Sequence, residues 1–227
     1  MNVLVIAAHP DDEVLGCGAT IARHCQQGDI VRVLILAEGA TSRSDNRNVD
    51  QWQVELSTLA QAAHKAGEIL GTETVKLHGF PDNRMDSCDL LDIVKLIEAA
   101  IQEFRHELVY THHVGDVNID HRLIHEAVVV ACRPQPGHPV KTLLFFEVVS
   151  STEWQPSGSA PAFIPTWFVD IADTLTVKLE ALAVYESELR PWPHPRSLEA
   201  VENLARWRGA SVGIKAAEAF MLGRSLL

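Results

Sequence analysis

Apolar and polar positions along the first 150 residues follow two alternating periods. Val3 to Ala8 is an unbroken apolar run, the length of a buried strand and too short for a buried helix. Ile30 to Ala37 repeats the pattern, Thr74 to His78 is a shorter version, and Glu107 to Thr111 and Thr142 to Val149 complete five strand-like segments. Between them, Glu13 to Gln27 (closed by Gly28), Asp50 to Ala66, Leu90 to Phe104 and a stretch ending near Cys132 carry apolar residues at helical spacing. Strands alternating with helices imply right-handed βαβ units. The expected fold is α/β, a Rossmann-like three-layer sandwich whose mostly parallel sheet has helices on both faces.

The last third reads differently. Ser150 to Thr166 is a loop rich in Ser, Pro and Gly, Trp167 to Ile171 is strand-like, and Leu175 to Leu189 and Leu198 to Leu222 show helical patterns separated by the three prolines of Arg190 to Arg196. The expectation is one domain over residues 1–227: core βα units over 1–150, then a C-terminal loop, strand and helices over 151–227, packed on the sheet as a rim or subunit contact.

In such a sheet the polar clusters line up. His9 to Glu13, Glu38 to Arg43, Asp82 to Arg84 and His112 to His121 all follow the carboxyl ends of expected parallel strands, the edge outside which open α/β sheets bind ligands. The first cluster is the densest. At an effective dielectric of ~20, two like charges ~4 Å apart repel by about 4 kcal/mol, and a helix N-terminus returns only ~0.3 to 1 kcal/mol per acid. Buried, Asp11, Asp12 and Glu13 therefore need a cation; exposed, they make an ordinary charged first turn. His9 tips the balance toward the cation, because it directly follows the apolar strand and stands three residues before Asp12, with Pro10 fixing the backbone between them. Imidazole plus carboxylate is a partial zinc set, and His121, opening a helix after the fourth strand, is the third ligand proposed by placement. His/Asp sets also accept other divalent transition metals.

Composition is compatible with this reading. With 19 Lys and Arg against 30 Asp and Glu, the net charge of −11 argues against nucleic acid or an anionic membrane as partner and leaves room for a cation. The apolar strand starts at residue 3 without a basic leader, and no apolar run reaches the ~18 residues of a transmembrane segment, so a cytoplasmic location is expected. The four cysteines form no C-x-x-C pair and read as buried reduced thiols.

Ala8-His9-Pro10-Asp11-Asp12-Glu13 after a first strand, with Asp120-His121 opening a later helix, resembles the PIG-L/LmbE-type zinc-dependent N-deacetylases of N-acetylglucosaminyl and related amides. The resemblance covers roughly residues 1–135. It implies His9, Asp12 and His121 as metal ligands, Zn2+ as cofactor, and Asp11 as general base toward a zinc-bound water. The substrate would be a small-molecule N-acetylated amino sugar or glycoconjugate, and the assembly a homo-oligomer, trimer or hexamer. Where the family's second motif is His-x-Asp-His, this chain has Asn118-Ile119-Asp120-His121. Asp120 keeps its orienting place. Asn118 can donate a hydrogen bond to the oxyanion but cannot deliver a proton, so it is the expected donor, with His113 as second choice and His112 beside it. Arg43, Arg84 and Asp82, on the second and third strand-end loops, are expected to meet the substrate. Two other readings compete: a two-metal phosphoesterase recruiting Asp116 and Glu38, which needs a second ion ~3.5 to 4 Å from the first, and a non-enzymatic metal-binding α/β protein.

Overall fold

In the computed structural model, which describes residues 1–226, five strands run parallel: β1 (Asn2–Ala7), β2 (Ile30–Ala37), β3 (Thr74–Phe80), β4 (Leu108–His112) and β5 (Thr142–Phe146). β7 (Ala217–Ser225), antiparallel to β5, and β6 (Trp167–Asp170), antiparallel to β7, extend the β5 side, giving the order β3-β2-β1-β4-β5-β7-β6. Successive side chains of a strand point to opposite faces, and β1 shows both faces covered. Val3, Val5 and Ala7 enter a core with α1 (Asp12–Gln26), α2 (Gln53–Leu70) and α5 (Leu175–Ala183), while Leu4, Ile6 and Ala8 enter one with α3 (Leu90–Phe104) and α4 (Ile119–Ala131). This is the expected three-layer α/β architecture.

The tail departs from expectation. The pattern read as one helix over Leu198 to Leu222 is α6 (Leu198–Ala210), a turn through Gly213 at φ 82°, and then β7. Ala, Glu, Met and Leu favour helix intrinsically, and a short apolar run does not separate the two periods. Pairing decides instead: β7 fills the slot between β5 and β6, with Phe220 opposite both Phe146 and Trp167. The other tail helix stops at Ala183 rather than Leu189, and β5 ends at Phe146 rather than Val149.

The tail also fixes the element that carries the acidic turn. α1 breaks at Cys17 (φ −150°), which frees backbone groups that must be satisfied in the core. Lys178 Nζ donates to the Leu15 carbonyl at 2.8 Å, and Glu218 accepts from the Ala19 and Thr20 amides at 3.1 and 2.6 Å. The two side chains pair with each other at 2.6 Å. Gly16 lets this helix approach β5, since a β-carbon there would stand 2.3 Å from the Phe146 ring.

Candidate metal centre

After β1 the chain turns through His9 and Pro10 into α1. Asp11, at the helix N-cap, is left-handed (φ 100°), and its amide donates to Glu13 Oε2 at 3.1 Å. Tyr185, in the turn after α5, holds the other oxygen of Glu13 through its hydroxyl at 2.5 Å. Across the crevice, the Asn118 side-chain oxygen accepts from the Asp120 amide at 2.9 Å, capping α4 and setting His121 in its first turn.

His9, Asp12 and His121 meet here. His9 Nδ1 is 3.3 Å and His121 Nε2 3.1 Å from Asp12 Oδ2, and one ligating atom of each lies within 4.8 Å of the others, all buried. Tetrahedral zinc with bonds of ~2.0–2.1 Å separates its ligand atoms by about 3.3 Å. Asp12 Oδ1 and both ring nitrogens of His121 are buried without a hydrogen-bond partner. Buried polar atoms are rarely left in that state, so this donor set fits a divalent ion.

Outer carboxylates orient the imidazoles. His121 Nδ1 stands 3.2 Å from Asp116 Oδ2, while His9 Nε2 stands 2.9 Å from Asp120 Oδ2 and 3.2 Å from Asp82 Oδ1. A carboxylate at one ring nitrogen places the proton there and turns the other nitrogen's lone pair inward. His9, Asp82 and Asp120 also have ligand-like spacing. However, Asp120 already accepts from the Asn83 and Met85 amides at 2.6 and 3.1 Å, and Asp82 from the Ser42 amide at 3.1 Å and Asn83 Nδ2 at 2.9 Å. These two carboxylates are thus held by the loops after β2 and β3 beside the Nε2 side of His9.

The local field follows from these contacts. Burial disfavours charge on His121, but Asp12 and Asp116 more than compensate and raise it to about 9. Burial likewise opposes charge on His9, and Asp12, Asp120 and Asp82 raise it well above the ordinary imidazole value. Burial also opposes ionisation of Asp12, yet His121 and His9 hold its carboxyl well below the usual range. Burial pushes Asp11 well above that range, against the pull of Arg196, and lifts Glu13 to about 7.

The remaining expected site residues are distributed unevenly. One amide hydrogen of Asn118 goes to Asn83 Oδ1 at 2.9 Å. His113 bonds the Pro161 carbonyl through Nε2 at 2.9 Å and meets Phe163 edge-on, so it belongs to the contact with the tail loop. His112 is the imidazole that joins the cluster: it stacks on His121 at 3.9 Å and accepts from the Ala8 amide at 2.8 Å through Nε2. Burial and neighbouring His121 hold it well below the ordinary value, so it is neutral. Arg43 pairs with Glu188 at 2.6 Å, and Arg84 donates to the Ser44 and Asp45 carbonyls at 3.0 and 3.1 Å. Sequence reasoning missed Arg196, whose Nη1 donates to Asp11 Oδ2 at 3.2 Å, and missed that Asp116 orients His121.

Fold and site together define an α/β protein with a metal-ready His/Asp centre at the carboxyl edge of its parallel strands. The family described as PIG-L: GlcNAc-PI de-N-acetylase matches residues 4–132, and the chain belongs to that family. Among relatives, it is 31% identical over 193 residues to the uncharacterized deacetylase YaiS of Escherichia coli (strain K12), spanning 82% of this chain and 91% of that one. It is 28% identical over 203 residues to the diacetylchitobiose deacetylase of Thermococcus kodakarensis, spanning 82% of this chain and 70% of that one. GalB of Pseudomonas putida KT2440, a 4-carboxy-2-hydroxymuconate hydratase, shares the fold with a TM-score of 0.76 at 22% identity, over 100% of this chain and 97% of that one. A fold shared with a hydratase does not choose the chemistry; the site must.

Proposed function

We propose that this protein is a metal-dependent hydrolase that removes an N-acetyl group from an amino sugar or amino-sugar conjugate. The observation that carries this reading is an acid, Asp11, next to Asp12 in a buried cluster with ligand-like spacing (His9, Asp12, His121) to which it does not itself belong. Deacetylase names among the relatives point the same way. Zinc, or another divalent transition metal, would be held by those three residues and would supply Lewis-acid polarisation of the acetamide carbonyl and acidification of water.

The chain's own residues divide the rest of the work. Asp11 takes the proton of the attacking water and passes it to the departing amine, a role closed to Asp12 while Asp12 is a ligand. Asn118, fixed by its cap and by Asn83, offers its second amide hydrogen to the developing oxyanion. Asp120 orients His9, and Asp116 orients His121. Arg43, paired with Glu188 but partly exposed, keeps donors that would meet a substrate hydroxyl.

The two-metal alternative would recruit Asp116 and Glu38, and both already have partners. Asp116 is engaged by the Asn118 amide at 2.8 Å and by Ser151 and Thr152, and Glu38 by Thr41 at 2.6 Å and by both arms of Arg47 at 2.9 and 3.1 Å. The test is acetate release from a panel of N-acetylated sugars by zinc-loaded protein. Parent protein should release acetate, and Asp11→Asn should retain its zinc yet lose most turnover. An Asp11→Asn protein that works at the parent rate would remove Asp11 from the mechanism.

A further inference from the structure

We propose that Arg196 is a positioning residue for Asp11: the tail carries its guanidinium back to the acidic turn and fixes which way the Asp11 carboxylate faces. This deepens the reading of Asp11 as base and rests on it.

Asp11 does not behave as an ordinary N-cap. Its side chain makes no capping bond to its own helix, and its left-handed backbone is anchored instead through the amide to Glu13. The carboxylate thus takes no partner from the first turn of α1, and burial calls for one from elsewhere. Arg196 supplies one across 185 positions of sequence, donating from Nη1 to Oδ2 at 3.2 Å.

The guanidinium is itself held from several sides. Arg196 Nε donates to Ser150 Oγ at 2.7 Å, Nη1 stands 3.6 Å from Glu188 Oε2, and the Arg196 amide donates to His194 Nδ1 at 3.0 Å. Glu188 is braced in turn by Arg43 at 2.6 Å. Ser150 adopts a left-handed backbone (φ 63°), with its amide given to Glu153 Oε1 at 2.6 Å. Such a backbone in a non-glycine residue costs on the order of 1–3 kcal/mol and persists only where surrounding contacts over-determine it.

An isolated surface ion pair contributes little and does not need three side-chain partners. Here the Asp11 side chain is 3% exposed and that of Arg196 24%. A planar guanidinium can hold Ser150 and Asp11 at a fixed separation through two nitrogens, which a lysine ammonium cannot.

The experiment compares parent, Arg196→Ala, Arg196→Lys and Ser150→Ala as zinc-loaded proteins on the N-acetylated sugar that the parent hydrolyses. It also compares crystal structures of the parent and Arg196→Ala. Misplacing a reacting group by about 1 Å can cost on the order of a hundredfold in rate, so Arg196→Ala should lose roughly 30- to 100-fold in kcat. Its KM and zinc content should stay within about twofold, because Arg196 itself contacts neither a proposed ligand nor Arg43, whose partner Glu188 remains. Added guanidinium ion should restore part of that kcat, Arg196→Lys should restore little, and Ser150→Ala should lose only a few-fold. In the Arg196→Ala crystal the Asp11 carboxylate should rotate away from its parental orientation.

An Arg196→Ala enzyme with parental kcat, or one in which only KM rises, overturns the proposal; the second result would make Arg196 a substrate contact. A parental Asp11 orientation in the Arg196→Ala crystal overturns it whatever the activity. A parent that hydrolyses no N-acetylated sugar sinks the deacetylase reading alone, and the crystal comparison still decides the positioning.

Discussion

At the carboxyl edge of the sheet, His9, His112 and His121 are buried among Asp12, Asp82, Asp116 and Asp120, whereas at the amino edge His106 is buried just before β4 in the company of Arg32 and Phe104. His106 and His121 are each 1% exposed, so burial does not distinguish them. Their partners do. Burial and nearby Arg32 push His106 down to about 4, while Asp12 and Asp116 overcome burial and lift His121 to about 9. Both ring nitrogens of each lack a hydrogen-bond partner, but only those of His121 face carboxylates. A buried histidine with idle nitrogens is suited to a metal when its neighbours are acids; beside a cation it is held neutral and costs stability as pH falls.

The sharpest way to break the contrast is to remove the acid that separates the two environments. Asp12→Ala should abolish stoichiometric zinc binding, measured by elemental analysis after dialysis, and lower acetate release by about a thousandfold or more. Retained zinc would mean that the ion does not depend on Asp12. Next in size is Asp116→Ala, which leaves the ligands in place but frees His121 to turn. Loss of such an orienting carboxylate weakens metal binding by roughly 10- to 100-fold, readable by competition with a chelator. An unchanged affinity would make Asp116 a tether for the Ser151–Thr152 turn only.

The amino edge supplies the smallest effect, and it is one of pH. His106 is held below its ordinary value, so its neutral form is favoured by folding. Its contribution to stability is present above about pH 6.5 and is lost as pH falls toward about 4. The shift corresponds to at most about 3 kcal/mol. His106→Leu should flatten that acid limb in denaturant titrations of metal-free protein. His121 runs the other way in the same protein: raised to about 9, its contribution is full below about pH 6.5 and fades as pH climbs through 9. Identical acid limbs in parent and His106→Leu would show that His106 does not carry the cost.

How far this was legible depended on whether each feature is local in sequence. The core βα units, the strand-end convergence and the trio His9, Asp12 and His121 follow from short apolar runs and the residues that end them, because a parallel sheet delivers all its carboxyl ends to one edge. The tail's contributions are non-local. β7 forms because β5 and β6 leave a slot, not because Ala217 to Ser225 reads as a strand. Arg196 directly follows the last of three prolines with no periodic pattern to announce it, and reaches Asp11 only through the folded tail. Tyr185 and Glu188 continue the helical spacing of α5 but lie in turns beyond it, from which they hold Glu13 and Arg43. His112 had a usable signal: as the last residue of β4 beside the end of β1, it reaches the Ala8 amide.

The central claim is that one divalent ion is held by His9, Asp12 and His121. Anomalous diffraction from crystals grown with zinc tests it most directly. A single peak per chain is expected, about 2.0–2.2 Å from His9 Nδ1, an Asp12 oxygen and His121 Nε2. A peak seated instead on His9 Nε2, Asp82 and Asp120, or a pair of ions with one on Asp116, would contradict it.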